Sequence, residues 1–237
     1  MKFESPLLRG RFLRRYKRFF ADIGLDDGRE IVAHCANPGA MLGIDTPGAL
    51  AFVEPASNPK RKLAWTLEIL QANNGAGPHL VGANTNRANA IAAEAVAAGR
   101  IPELAGYDAI AREVRYGEAS RVDFLLSGEG RPPCYLEVKN VHLVRGGRLA
   151  EFPDCRTARG ARHLAELVSM VRAGSRAAVL FIIQRADVDA FSPARDLDPG
   201  FAAGFDAARR EGVEMFAMRC GVTPEAIVAQ DRVPVMD

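Results

Sequence analysis

Two runs in which apolar and polar residues alternate flank a short loop in the middle of the chain. The runs are Arg121–Leu126 and Cys134–Asn140, and the loop is Ser127–Pro133. Side chains alternate between the two faces of a β-strand, and the glycine and proline residues of the loop are typical of turns that end strands. The pattern therefore predicts a β-hairpin in which Leu126 lies opposite Cys134.

In this register the hairpin has one apolar face and one face that carries charge. The apolar face consists of Val122, Phe124, Leu126, Cys134, Leu136 and Val138. On the other face Asp123 lies opposite Glu137, and Lys139 lies two residues further along the second strand. Opposed carboxylates repel each other, and a divalent cation between them would turn the repulsion into attraction. The alternative is an ordinary amphipathic hairpin whose charged face is solvated.

The charged face is suited to metal-assisted hydrolysis of a phosphate ester. Asp123 and Glu137 are oxygen ligands of the kind that Mg²⁺ prefers, and Mn²⁺ suits the same donors. The backbone carbonyl of Val138 is a candidate for a further ligand. Lys139 would orient or deprotonate a water molecule, or offset charge in the transition state. We therefore take Asp123, Glu137 and Lys139 as catalytic candidates, with an ion pair to a carboxylate as the alternative for Lys139.

Positive charge is concentrated at the start of the chain. The first twenty residues hold seven Lys or Arg residues and one Glu, a local charge of +6 in a chain whose net charge is +2. Cationic side chains neutralise phosphates, and exposed aromatic rings stack on bases. The candidates for nucleic-acid binding are Arg9, Arg11, Arg14, Arg15, Tyr16, Lys17 and Arg18, with Lys60, Arg61 and Lys62 as an extension of the same surface. In the alternative, the aromatic residues fill a core and the cations only face water.

The pattern of apolar runs changes along the chain. In the first third, short strands separated by turn signals predict a small β-barrel. Later, helices predicted at Asn86–Ala98 and Thr157–Ala173 alternate with strands, and Ala177–Ile183 is a continuous apolar run typical of a strand covered on both faces. We therefore expect a barrel domain at residues 1–80 and a mixed-sheet domain with helices on its faces at residues 81–237.

Four further residues are candidates for accessory roles beside the carboxylates. Glu94, on the first predicted helix, would supply an additional carboxylate. Arg159, which follows Thr157 at the start of the second helix, would hold a phosphate. Gln184 ends the apolar strand and would point into the same cleft. A solvated helix face is the alternative for Glu94 and Arg159.

The four cysteines are widely spaced and form no CxxC pair, so they indicate neither a zinc site nor a disulfide framework. The basic N-terminus is not followed by the apolar segment of a signal peptide, and no apolar run approaches the length of a membrane span. We therefore expect a cytoplasmic protein. Its oligomeric state is not indicated.

Distinctive stretches occur in order along nearly the whole chain. They are Ser5–Gly10, Arg14–Phe19, Ala33–Gly39, Ser57–Lys62, Gly99–Leu104, Glu113–Gly117, Arg121–Asp123, Glu137–Val141, Phe152–Asp154 and Thr157–Gly160. In these stretches the chain resembles the bacterial sugar fermentation stimulation protein A family. The aspartate followed by Glu-x-Lys on the next strand resembles the PD-(D/E)xK nuclease superfamily. The chain departs from the family at Asn37–Met41. The family usually has Asn-Thr-Gly-Ser-Met there, whereas this chain has Asn-Pro-Gly-Ala-Met and so lacks both hydroxyl groups.

The resemblance implies an α/β (α+β) protein with two parts. An N-terminal OB-like barrel would bind nucleic acid, and a restriction-endonuclease-like mixed sheet flanked by helices would follow it. It also implies DNA binding of low sequence specificity and a regulatory link to sugar metabolism, notably maltose use. We therefore predict a DNA-binding protein that hydrolyses phosphodiesters with Mg²⁺ or Mn²⁺, and we leave open whether its DNA is single- or double-stranded. The alternatives are a non-catalytic DNA-binding regulator and, less favoured, a sugar-binding or metabolic enzyme.

Overall fold

A computed structural model describes residues 1–58, 60–74, 77–117 and 120–237 of the chain. Its strands form two six-stranded sheets, one after the other in sequence, and a small two-stranded sheet. Across these described ranges, no helix combines the length and the apolar character needed to cross a membrane.

The N-terminal sheet closes on itself. Its strands are β1 (Leu8–Tyr16), β2 (Phe20–Leu25), β3 (Glu30–His34), β4 (Leu50–Pro55), β5 (Trp65–Asn73) and β6 (Pro78–Gly82). The order is β3-β2-β1-β4-β5-β6, and a parallel contact between β3 and β5 closes the first five strands into a barrel. Alternate apolar side chains such as Phe12, Ile23 and Leu67 fill the interior. The predicted OB-like barrel is confirmed. β6 crosses the predicted domain boundary between residues 80 and 81. That boundary stays a prediction.

The second domain is a mixed sheet covered by helices on both faces, as predicted. Its elements are α1 (Arg87–Ala97), β7 (Ala109–Tyr116), β8 (Ser120–Ser127), β9 (Cys134–Val141), β10 (Leu149–Phe152), α2 (Ala158–Arg172), β11 (Arg176–Ile183), β12 (Ala190–Pro193), α3 (Pro199–Arg210), β13 (Glu214–Val222) and β14 (Ile227–Arg232). The sheet order is β14-β13-β11-β9-β8-β7, with β9, β11 and β13 parallel. The helix α1 packs on one face, and α2 and α3 pack on the other.

The predicted hairpin is formed by β8 and β9 in the predicted register, with Leu126 paired to Cys134 and Phe124 to Leu136. The prediction of a single apolar face is wrong at one position. Phe124 packs in the cluster with α1, whereas Val122 packs in the cluster with α2 and α3. The pairing of β8 with β9 ends at Phe124. The change of face therefore falls at Asp123, where the two strands part.

Two buried polar networks join the barrel to the second domain. In the first, Arg87 at the start of α1 binds Glu54 of β4 at 2.5 Å and Glu68 of β5 at 2.9 Å. In the second, the guanidinium of Arg185, just after β11, donates to the side-chain oxygen of Asn74, just after β5, at 2.6 Å. Because charged groups are buried at low cost only when they are paired, these contacts fix how the barrel sits on the sheet.

Candidate functional site

The Asp123 carboxylate lies between β9 and α1. Its Oδ2 accepts the backbone N–H of Val138 at 2.7 Å, and its Oδ1 accepts the side-chain N–H of Asn89 at 2.8 Å. Burial raises the pKa of Asp123 and the negative charge of Glu137 raises it further, against the lowering effect of both hydrogen bonds. Asp123 is therefore held in place on two sides but is disfavoured as an anion by its surroundings.

The Glu137 carboxylate is buried because β9 is an inner strand with helices over both faces. Its side chain is 4% exposed. Oε1 accepts a hydrogen bond from Lys139 Nζ at 2.6 Å and lies 2.5 Å from Nδ1 of His163. Burial alone would raise the pKa of Glu137, but His163 and Lys139 outweigh it and hold that pKa below its ordinary value. Oε2 is buried and has no hydrogen-bond partner among the described residues. Glu137 is thus an ionised group with one oxygen unpaired.

The helix α2 supplies two residues that continue this network. His163 is buried and faces Glu137, and Arg159, one helical turn earlier, donates from Nε to His163 Nε2 at 3.2 Å. From the sequence, Arg159 and His163 are candidates for holding a phosphate next to the site, and neither is predicted to act on Glu137. A signal for the pair did exist, because a spacing of four residues places two side chains on the same face of a helix.

Glu94 lies elsewhere than the sequence analysis expected. Its carboxylate pairs with the N-terminal ammonium of Met1, and its side chain is 60% exposed. The residue of α1 that contacts Asp123 is Asn89, five positions earlier. The first helix therefore brings an amide, and no carboxylate from Glu94, to the pair of acidic residues.

Thr157 and Gln184 occupy structural positions. Thr157 caps α2, because its hydroxyl accepts the backbone N–H of Gly160 at 3.0 Å. Gln184 is fully buried between the two domains, and its amide donates to the backbone carbonyl of Asn84 at 3.0 Å and to Asn140. Asn140 directly follows Lys139 in β9, so Gln184 contacts the strand that carries the site. Among the described residues, Gln184 forms no hydrogen bond with either carboxylate of the site.

Three arginines of β1 are already engaged. Arg9 pairs with Asp26 at 2.5 Å and Arg14 with Asp22 at 2.7 Å. Arg11 donates weakly to a backbone carbonyl of the loop before β4, at 3.3 Å. Because Arg9 and Arg14 are neutralised by aspartates, they offer less charge to a polyanion than the sequence suggests.

The turn between β1 and β2 carries exposed charge beside an aromatic pair. Lys17 and Arg18 are exposed and adopt left-handed backbone angles, φ 46° and 65°, at its tip. Arg15 donates to two backbone carbonyls of the segment that follows β3, at 2.8 and 2.9 Å. Tyr16 stacks on Phe20 with ring centroids 5.4 Å apart. Together Arg15, Tyr16, Lys17 and Arg18 line an open cleft of about 470 Å³, which we call the tip cleft.

The aromatic residues of this segment divide between core and surface. Phe12 is in the barrel core, so the alternative of core filling holds for that residue. Phe19, beside Arg18, is 42% exposed. An exposed ring next to cations is suited to stacking on a base.

The second basic cluster faces a different cleft. Lys60, Arg61 and Lys62 are exposed in the connection between β4 and β5. Arg61 donates to the Thr66 hydroxyl at 3.1 Å and lines a cleft of about 440 Å³ that also contains the buried Glu68. The residues of the tip cleft do not line this one, so the described structure does not join the two basic clusters into one groove.

A further cavity of about 300 Å³ lies where the barrel meets the second domain. It shares Arg18 with the tip cleft, and its other walls include Asn140 of β9 and Thr157 at the start of α2. Asn140 directly follows Lys139, and α2 carries His163. Arg18 of the basic turn and Asn140 of β9 therefore line the same cavity, whose lining does not include Asp123, Glu137 or Lys139.

The donor set is compatible with a hard divalent cation. Among the described residues, no three His, Cys, Asp or Glu side chains converge in a metal-binding group. Mg²⁺ commonly takes one or two carboxylates and keeps water in its remaining positions. The unpaired oxygen of Glu137 and the like charge of Asp123 fit that use, because a cation would relieve both.

The fold and site define a two-domain protein in which an OB barrel precedes a restriction-endonuclease-like domain. Two family models cover most of the chain: the SfsA N-terminal OB domain matches residues 13–82, and the sugar fermentation stimulation protein RE domain matches residues 86–226. The chain therefore belongs to the sugar fermentation stimulation protein family.

Relatives match over nearly their full lengths. The sugar fermentation stimulation protein homolog of Methylorubrum populi is 50% identical over 236 residues, which is 100% of this chain and 95% of the relative. The homolog of Paramagnetospirillum magneticum is 53% identical over 227 residues, 96% of this chain and 94% of the relative. A solved structure of Pyrococcus furiosus SfsA in complex with Ca²⁺ is 30% identical, with a TM-score of 0.87 over 100% of this chain and 98% of that one.

Proposed function

We propose that this protein binds DNA with low sequence specificity and hydrolyses phosphodiester bonds with Mg²⁺ or Mn²⁺ held by Asp123 and Glu137. The observation that carries the proposal is Glu137 Oε2, a buried oxygen of an ionised group with no partner among the described residues. Such an oxygen is costly unless an ion or a water molecule meets it. The Ca²⁺ complex of the Pyrococcus furiosus relative supports the choice of a divalent cation.

Each residue has a distinct role in this proposal. Asp123 and Glu137 would hold the metal, and the backbone carbonyl of Val138 is a candidate for a third protein ligand. The bound metal would supply positive charge beside the phosphate and make a coordinated water more acidic. Lys139, whose ammonium group lies 2.6 Å from Glu137, would orient the attacking water or offset negative charge that develops at phosphorus.

The barrel would hold the nucleic acid. Lys17 and Arg18 expose cations at the tip cleft, and Tyr16 and Phe19 place aromatic rings beside them. Cations in such a groove bind phosphates without regard to sequence, and rings stack on any base. The cavity that shares Arg18 with the tip cleft is also lined by Asn140 of β9, which supports a position of the nucleic acid near that strand.

The test is a cleavage and binding assay on labelled single-stranded, duplex and branched DNA with Mg²⁺, Mn²⁺ or EDTA. Asp123→Asn and Glu137→Gln should abolish metal-dependent cutting and retain DNA binding. Glu94→Gln is the matched control, because it removes an exposed carboxylate of α1 that does not contact the site. Cutting that persists in the Asp123→Asn and Glu137→Gln proteins would refute the assigned site.

A non-catalytic DNA-binding regulator linked to sugar metabolism is the second candidate. It is favoured by the donor set, since the described residues bring only two carboxylates together. It predicts equal DNA binding in EDTA and in Mg²⁺, and no cutting of any of the three DNA forms by the wild-type protein.

A further inference from the structure

We infer that Arg159 and His163 of α2 form a positioning pair that determines which oxygen of Glu137 remains available to a metal. The inference rests on the proposed function, because it assigns the pair a role at the same metal site. His163 contacts Glu137 directly, and Arg159 contacts Glu137 only through His163. Neither residue needs to contact the reacting atoms in order to position Glu137.

The hydrogen bonds of His163 define which ring nitrogen carries the proton. The Nε of arginine always bears a hydrogen and has no acceptor capacity. Arg159 Nε lies 3.2 Å from His163 Nε2, so Nε2 must be the acceptor and carries no hydrogen. This geometry places the ring proton on Nδ1. Nδ1 lies 2.5 Å from Oε1 of Glu137 and donates to it.

This arrangement divides the two oxygens of Glu137. Oε1 accepts from both His163 and Lys139, whereas Oε2 accepts from no described residue. In the opposite tautomer, the lone pair of Nδ1 would face the carboxylate and repel it. The proton on Nδ1 thus holds the carboxylate in an orientation that presents Oε2 as the free oxygen. Residues that orient a metal ligand in this way typically change metal affinity by about 10–100-fold when they are replaced.

The fold keeps the pair in place. His163 is almost fully buried, so water cannot readily substitute for either of its partners. Arg159 is exposed and pairs through Nε, one helical turn before His163. The start of α2 is fixed by the Thr157 cap and by Asp198, whose carboxylate accepts the Thr157 backbone N–H at 2.7 Å.

The first experiment measures the tautomer in the metal-free protein by ¹⁵N NMR of the imidazole rings, with His163→Asn identifying the resonances of His163. We expect a protonated Nδ1 and an unprotonated Nε2. A His163 ring that carries its proton only on Nε2 would overturn the inference, independently of whether the protein binds a metal.

The second experiment measures Mn²⁺ binding by calorimetry in the absence of DNA. His163→Leu removes the donor to Glu137 at similar size, and we expect it to weaken Mn²⁺ binding by about 10–100-fold. His163→Asn places an amide N–H near the position of Nδ1–H, and we expect it to restore binding to within a few-fold of wild type. Circular dichroism and thermal unfolding would establish that both variants are folded.

The outcomes separate the pair from the proposed function. Equal Mn²⁺ affinity of wild type and folded His163→Leu would overturn the role of the pair while leaving the metal site intact. Equal weakening in His163→Leu and His163→Asn would also overturn it, because a purely structural role needs the ring and not the donor. Absence of Mn²⁺ binding by the wild-type protein would overturn the proposed function itself.

Discussion

Arg185 joins the two domains through a guanidinium group that is completely buried. Its Nε and Nη2 donate to the two carboxylate oxygens of Asp187 at 2.7 and 2.6 Å. Its Nη1 donates to the backbone carbonyl of His142 at 2.8 Å, and Nη2 also donates to Asn74 of the barrel. One side chain therefore pairs a buried carboxylate, satisfies a backbone carbonyl and holds the end of a barrel strand.

Replacing Arg185 with methionine should lower the free energy of unfolding by about 3–5 kcal/mol, the usual result of removing one partner from a buried ion pair. The loss is large because the Asp187 side chain is 1% exposed, and the ring of its neighbour His79 lies 3.9 Å away. At roughly 2–4 °C per kcal/mol for a chain of this size, the Tm should fall by about 6–20 °C.

The pH dependence has a defined sign. Burial alone would raise the pKa of Asp187, but Arg185 holds it below its ordinary value. A lowered pKa contributes stability above the unfolded-state pKa, and that stability is lost as acid protonates the folded carboxylate. The wild-type advantage over Arg185→Met should therefore be full near neutral pH and should shrink in acid.

Urea unfolding followed by circular dichroism measures these differences. Arg148→Met is the matched control, because Arg148 makes a similar two-point contact to Asp189 on the surface, where solvent screens the pair, and its loss should change stability much less. The double variant Arg185→Met/Asp187→Leu should be more stable than Arg185→Met alone, since it removes the stranded charge. A single variant no less stable than Arg148→Met, or a double variant no better than the single, would refute the reasoning.

Three further predictions concern Asp123, Gly82 and Lys17; the first two are measured by the same unfolding methods and the third by DNA binding at varied salt. Asp123→Asn should stabilise the protein by about 1 kcal/mol at neutral pH, because burial and Glu137 disfavour the Asp123 anion, and the gain should vanish in acid, where Asp123 is protonated; a gain that persists in acid would contradict this cause. Gly82→Ala should lower stability by about 1–3 kcal/mol, since its Cβ would lie 2.2 Å from Oε1 of Gln184; unchanged thermal unfolding would contradict it. Lys17→Gln should reduce the slope of log Kd for DNA against log salt by about 1; an unchanged slope would remove Lys17 from the interface.

Much of the fold follows from local patterns in the sequence. Alternation in β8 and β9 predicts both the strands and their register, because a slip of one residue would put an apolar face into the wrong layer. The strands β10 and β12 were not predicted. Each has four residues, and they pair with each other across about forty positions of sequence, so no local period marks them.

The site was predictable only in part, for geometric reasons. Glu137 and Lys139 follow from strand alternation, which is a local property, whereas Asp123 lies where the two strands part and the alternation of faces changes. Which residue of α1 reaches Asp123 depends on how the helix is rotated against the sheet. Asn89 and Glu94 are five positions apart and so point about 140° apart around the helix. Only the packed structure decides in favour of Asn89.

The buried charges of this protein differ in how completely they are hydrogen-bonded, and that difference supports the proposed site. At the domain interface, Glu68 is fully buried and both of its oxygens are bonded, to Arg87 at 3.0 and 2.9 Å and to Asn84 at 2.9 Å. Glu137 is buried to a similar degree, yet one oxygen has no partner among the described residues, and its neighbour across the sheet is the like-charged Asp123. Fully paired carboxylates therefore occur in this fold, whereas the buried carboxylate oxygens without a partner among the described residues belong to Glu137 of β9 and Glu166 of α2. Such exceptions are expected where a structure holds groups ready for a ligand and accepts a loss of stability there.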